Sequence, residues 1–202
     1  MNKKLEQKII EQVKRDPDYL KDIEEQTEAI CLAAVKAAGW AVKHVNNQTE
    51  EICLAAVKED GNALRYVKNQ TEKICLATVK DFGNALEYVN NQTEAICLEA
   101  VKENVLALNY VKNKTNKIYK EALNYNFKDS SRLIPIKEKS TAMIVLEASL
   151  RNNKDRVILT KILNKFSKDQ EIIDFYTKHK LWKHVDFNKL KNHKLFQYGM
   201  SL

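Results

Sequence analysis

A block of 22 residues is copied along this chain with little change. Residues 48–69 read QTEEICLAAVKEDGNALRYVKN and residues 70–91 read QTEKICLATVKDFGNALEYVNN, identical at sixteen of 22 positions. Residues 26–47 and 92–113 keep the frame. A degenerate copy starts near Lys4, with Glu6, Val13 and Lys14 in register, and a fading one starts at Lys114 and loses the pattern near Phe127. Helices this short do not persist alone in water, so each unit must stack on its neighbours. Six units, the first and last degenerate, make a linear array whose atypical end copies cover the exposed apolar faces.

Each unit reads as two short helices. Thr49 ahead of Glu50 and Glu51 is an N-cap followed by acid in the first turn. Ile52, Cys53, Ala56 and Val57 form an apolar stripe at helical spacing, widened by Leu54, and Lys58 sits in the last turn. Gly61 is expected to supply a left-handed stop. Asn62 to Val67 are expected to form a second helix with Ala63, Leu64 and Val67 inward, and Lys68, Asn69 and Gln70 turn the chain back. In unit 92–113, Val105 replaces the glycine, which predicts continuous helix through that turn. The fold class is all-α: a solenoid of 22-residue helical hairpins over 4–127, then a basic helical capping module over 128–202.

Composition agrees. With 4 Gly and 2 Pro in 202 residues the chain lacks the tight turns of a sandwich or barrel. No apolar run approaches the roughly 18 residues of a membrane span, and MNKKLEQKII holds no apolar segment of a secretory signal. The expectation is an intracellular protein, neither secreted nor membrane-bound.

The pattern A-V-K-x-x-G-x-A-L-x-Y-V, at Ala56 to Val67 and from Thr78 to Val89 with Thr in place of the first Ala, resembles a short helical repeat family of unknown function common in mimivirus-like giant viruses. The resemblance covers about residues 4–127 and implies no catalytic residues. A giant-virus structural or host-interaction component, in the virion or the host cytoplasm, is the setting it implies. The excess of Lys over Arg, 29 to 5, together with 19 Asn and 15 Ile, reflects A/T-rich codons and agrees with such a source.

Several repeated columns invite a chemical reading. Cys31, Cys53, Cys75 and Cys97 recur at the repeat period without a C-x-x-C pair or a Cys/His cluster. Packed helices lie about 8–10 Å apart, too far for a disulfide between equivalent positions, so these are expected to be unbridged core thiols. The four Asn-x-Thr triplets starting at Asn47, Asn69, Asn91 and Asn113 match the glycosylation acceptor, but turn and cap already account for Asn and Thr. Lys36, Lys58, Lys80 and Lys102, with Glu28, Glu50, Glu72 and Glu94 at the opposite helix end, complement the helix dipoles. A nucleic-acid groove there is disfavoured, since residues 1–127 hold 18 Lys/Arg and 19 Asp/Glu, a net of −1.

The candidate partner-binding residues are Trp40, Tyr66, Tyr88 and Tyr110. His44 and the three tyrosines share one column, as interface anchors or as half-buried spacers between repeats. Trp40, Asn62, Asn84 and Leu106 share another, and Lys43, Arg65, Glu87 and Asn109 a third. Variation on a copied frame marks surface.

Beyond 127 the repeat ends. Asp129, Ser130 and Ser131 read as a connector, Pro135 as a break, and 141–150 as a helix. Val157, Leu159, Ile162, Leu163 and Phe166 read as the inward face of a second helix, there to pack on the last repeat. Ser167 with Gln170 reads as a capping box opening a third. Residues 128–202 carry 16 Lys/Arg and 8 Asp/Glu, a net of +8. Lys178, Lys180, Trp182, Lys183, Lys189 and Lys191 form a candidate basic patch for nucleic acid. No nucleophile–base pair, P-loop or metal cluster is legible, so the expectation is a non-enzyme with no cofactor or metal. It is read as a scaffold binding a protein partner, the alternative being nucleic-acid association through 128–202. The oligomeric state is not legible.

Overall fold

The computed structural model describes residues 2–152 and 155–190, and no strand occurs among the described residues. The chain divides into two compact units, Met1–Asn113 and Lys114–Leu202.

The first unit is a stack of two rows. Helices α1 (Lys3–Arg15), α2 (Glu28–Ala37), α3 (Glu50–Glu59), α4 (Glu72–Asp81) and α5 (Glu94–Glu103) lie side by side in one row. The 3-10 helices Pro17–Asp22, Gly39–His44, Gly61–Tyr66, Gly83–Tyr88 and Val105–Asn109 form the other, each packed on the α-helix before it and on the next 3-10 helix. Thr27, Thr49, Thr71 and Thr93 cap α2 to α5 as expected, each side chain accepting a hydrogen bond from the amide three residues on. Ile52, Cys53, Ala56 and Val57, with their equivalents, are buried.

The second helix of each unit is 3-10 rather than α. A 3-10 helix repeats every three residues. Gly61, Leu64 and Val67 are buried, while Asn62, Arg65 and Lys68 are exposed. The glycines also act differently from expectation. Gly39, Gly61 and Gly83 have no positive φ, so none of the three is a left-handed stop. A Cβ at Gly39 would lie 2.4 Å from the Ala56 carbonyl oxygen, and one at Gly83 2.5 Å from that of Ala100. The next repeat's helix rests on the bare backbone at these places. Nor does Val105 allow a continuous helix: α5 ends at Glu103, and Asn104 caps the following 3-10 helix through Oδ1 and the Leu106 amide at 2.9 Å. The break therefore does not require the glycine.

The repeats are joined by a ladder of glutamines that the turn reading of the sequence leaves unexplained. Gln48 Nε2 donates to the carbonyls of Val42 (2.9 Å) and Tyr66 (3.0 Å), the ends of two successive 3-10 helices, while its Oε1 accepts from the Lys68 amide at 2.8 Å. Gln26 does the same one repeat before, and Gln70 and Gln92 one and two repeats after. The Val42 carbonyl already accepts from the Val45 amide at 3.1 Å and gains a second donor, whereas the Tyr66 carbonyl, at the very end of its 3-10 helix, takes its hydrogen bond from the glutamine. A second link runs along the α row. The capping hydroxyls of Thr27 and Thr93 donate to Glu6 (2.7 Å) and Glu72 (3.2 Å) of the preceding helix.

In the second unit, α6 (Asn116–Tyr125) still follows the repeat frame, with Thr115 as cap. It packs on α7 (Phe127–Leu133) and α8 (Lys139–Arg151). The compact units therefore part at Asn113/Lys114, ahead of the boundary expected at 127/128. The expected connector is helical instead. Ser130 and Ser131 are buried in α7, and Ser130 Oγ donates to the Ala122 carbonyl at 2.6 Å. Helices α9 (Arg156–Lys165) and α10 (Gln170–Lys178) follow. Asp169, not Ser167, caps α10, its carboxylate accepting from the Ile172 amide. Leu159, Ile162 and Leu163 are buried as expected, but Val157 is 69% exposed, and α8 rather than α9 lies against α6. Buried Tyr176 ties α10 to α9 by donating to the Leu159 carbonyl at 2.6 Å, and burial pushes its phenol far above the usual range.

Candidate functional site

The 3-10 row of the first unit presents the columns that vary between repeats. Its frame residues, such as Ala41, Val42, Ala63, Leu64, Ala85, Leu86, Ala107 and Leu108, are buried. Between them Lys43, Asn62, Arg65, Asn84, Glu87, Leu106 and Asn109 are exposed, and Trp40 is half-buried. Period three puts residues 62 and 65, or 40 and 43, on one edge of the row.

The four candidate aromatics fall into distinct settings. Trp40 lies under the Lys43 ammonium, 4.5 Å from the ring centroid, and meets His44 edge-on at 6.2 Å. His44 Nε2 lies 2.9 Å from Asp18 Oδ1 of the preceding repeat. Asp18 is hydrogen-bonded by Lys21 and by His44, and these contacts hold its carboxyl below the usual range. Tyr66 and Tyr88 are brought together by Arg65. Its guanidinium carbon lies 5.7 Å from the Tyr66 centroid and 4.4 Å from that of Tyr88, and Nη2 donates to Tyr88 Oη at 2.8 Å. Tyr66 and Tyr110 stay more than a third exposed and Tyr88 is half-buried. Each keeps part of its ring toward solvent. Leu106 and Phe82 add apolar surface beside this ridge.

The four thiols are buried and unbridged. Burial pushes those of Cys31, Cys53 and Cys75 up, and the first-turn glutamates Glu28, Glu50 and Glu72 add to the rise. A neutral thiol of this kind is a poor nucleophile. Among the described residues no group of three or more His, Cys, Asp or Glu is arranged to hold a metal.

In the second unit, Lys178, Lys180, Lys183 and Lys189 are exposed, and Lys191 lies outside the described residues. Trp182 does not stand beside them as a stacking platform. It is 5% exposed, its ring packs on Tyr176 with centroids 5.7 Å apart, and Nε1 donates to Thr177 Oγ1 at 3.1 Å. A different cleft, unmarked in the sequence reading, opens where the Asp186–Lys189 turn meets α9. Asn164 Nδ2 donates to the Lys189 carbonyl at 2.8 Å, and Thr160 Oγ1 accepts from the Asp186 amide at 2.9 Å. Arg156, Val157, Lys161, Asp186 and Lys189 complete the lining of a volume of about 390 Å³. The signal was the register of α9, where Val157 falls one residue off the stripe of Ile158, Leu159, Ile162 and Leu163.

No protein-family model, curated protein or solved structure matches this chain. Among the described residues no helix is long and apolar enough to cross a membrane.

Proposed function

We propose that this chain is a non-catalytic scaffold that binds another protein along the 3-10 row of its repeats, with Trp40, Tyr66, Tyr88, Tyr110 and Leu106 as contact residues. One observation carries the reading: on the 3-10 row the buried frame is copied, while the exposed or half-buried columns that begin at Trp40 and Lys43 change from repeat to repeat. Aromatic and arginine side chains, at Trp40, Arg65, Tyr66 and Tyr88, are the types that anchor interfaces. A stacked array also offers a long surface that one partner can follow across several units. Unbridged buried thiols agree with a reducing compartment. The resemblance to repeats abundant in giant viruses makes the virion or an infected-cell complex the setting to search.

A photo-reactive amino acid placed at Leu106 or Tyr66 tests this, with one at Glu51 on the α row as comparison. Discrete cross-linked species from the ridge positions and none from Glu51 support the reading. Equal cross-linking from both rows, or none from the ridge, overturns it. Nucleic-acid association through 128–202 is the weaker alternative, because buried Trp182 gives bases no ring face to stack on.

A further inference from the structure

The cleft beside α9 combines features that a merely solvated surface does not need. Its floor includes Val157, a β-branched apolar side chain left 69% exposed, while the adjacent Ile158 and Leu159 are buried. Its rim is cationic. Arg156 Nη2 and Lys189 Nζ approach the same carboxylate, Asp186, at 3.8 and 3.6 Å, so two positive charges share one negative. Lys161 adds a third on the next turn of α9, and Lys165 lies exposed four residues further on. The walls are fixed rather than loose, since side chain–backbone hydrogen bonds from Asn164 and Thr160 hold the Asp186–Lys189 turn against the helix.

We infer that this cleft binds an acidic peptide segment of a partner protein, with one aliphatic side chain seated on Val157 between carboxylates that meet Arg156, Lys161 and Lys189. Charge complementarity selects the acid, and the exposed valine selects the aliphatic anchor. A nucleic acid would meet the same cations, but among the described residues no aromatic ring lines the cleft to take a base. The site is separate from the ridge of the repeats and stands whether or not that ridge binds.

The test titrates the full chain into a fluorescein-labelled peptide in which one leucine is flanked on each side by Asp and Glu, followed by anisotropy. The expected result is saturable micromolar binding. Val157→Asp and Lys161→Glu each weaken it at least tenfold, and Lys178→Glu with Lys183→Glu, outside the cleft, changes it less than twofold. A peptide with serine in place of the leucine binds at least fivefold more weakly. Unaltered thermal melts of the variants show that the fold is intact. Absence of binding overturns the inference. So does equal loss in the Lys178/Lys183 variant, which would indicate diffuse attraction. A labelled oligothymidine of equal charge that binds as tightly and loses affinity with Lys161→Glu would reassign the cleft to nucleic acid. Peptide binding that appears only after removal of residues 191–202 would reassign it to this chain's own tail.

Discussion

Gln70 spans the seam between two repeats. Its amide serves the carbonyls of Leu64 and Tyr88 and the amide of Asn90. Gln70→Met keeps the shape and removes all three bonds. The Leu64 carbonyl keeps the Val67 amide and the Asn90 amide is exposed, so the part-buried Tyr88 carbonyl is the group that suffers; a buried unsatisfied group costs roughly 1–3 kcal/mol, and a loss of about 1–2 kcal/mol is expected from urea unfolding. Gln70→Glu should be worse, because it sets a carboxylate against two carbonyl oxygens. The thiols give a second expectation. Their titration is raised by burial in the fold. The neutral form is thus favoured by folding, and its stabilisation is complete below the ordinary thiol range and lost as pH rises through the folded value. Melting temperatures at pH 7.5 and 10 should therefore differ less in the Cys53→Ala, Cys75→Ala double variant than in the parent. Iodoacetamide at pH 8 should label the folded thiols far more slowly than the unfolded ones. The cysteines were legible from spacing alone. The glutamines were not, because Asn-Gln-Thr was already explained by its turn and its cap, and the middle residue's partners lie a whole repeat away.

At the scale of the element, the short helices show what a pattern can and cannot say. Apolar residues at 63, 64 and 67 fit an α-helix as well as a 3-10 helix. The variable positions 62 and 65, three apart, held the distinction, and only the period of the exposed face separates the two. Glycine was misread for a related reason. Its place after a helix suits a left-handed cap, whereas its function here is to admit a neighbouring backbone. The two roles predict different mutants. Gly83→Ala drives a Cβ into the Ala100 carbonyl and should cost about 1–3 kcal/mol. Gly61→Ala drives one to 2.5 Å from the Cβ of Phe82, an atom fixed to the backbone that ring rotation cannot clear, and should cost a comparable amount. Gly83→Asn decides between the roles in denaturant unfolding: a left-handed cap accepts asparagine better than alanine, whereas close approach penalises the larger side chain more. Val157 was assigned inward because it adjoins a true apolar stripe; a one-residue offset on α9 turned it to the surface.

For the whole molecule, the first unit ends where the last, fading copy of the frame begins. Helix α6 keeps the Thr cap of a repeat yet packs on α8. A chain cut after residue 127 retains α6 without that partner, whereas one cut after 113 ends at the boundary of the first unit. The longer fragment should bind a hydrophobic dye more strongly and self-associate more on a sizing column than the shorter one. Equal behaviour would place the boundary where the repeat pattern fades. The glutamine ladder carries a further consequence, for how such a chain can change length. Each clamp grips only main-chain atoms of the adjoining copy, so the joint is blind to which side chains that copy displays. A duplicated block of 22 residues brings both halves of a new joint with it, and a deleted one leaves two halves that still match. Growth and shrinkage by whole modules, with free divergence of the outward columns afterwards, is the kind of inheritance this seam permits.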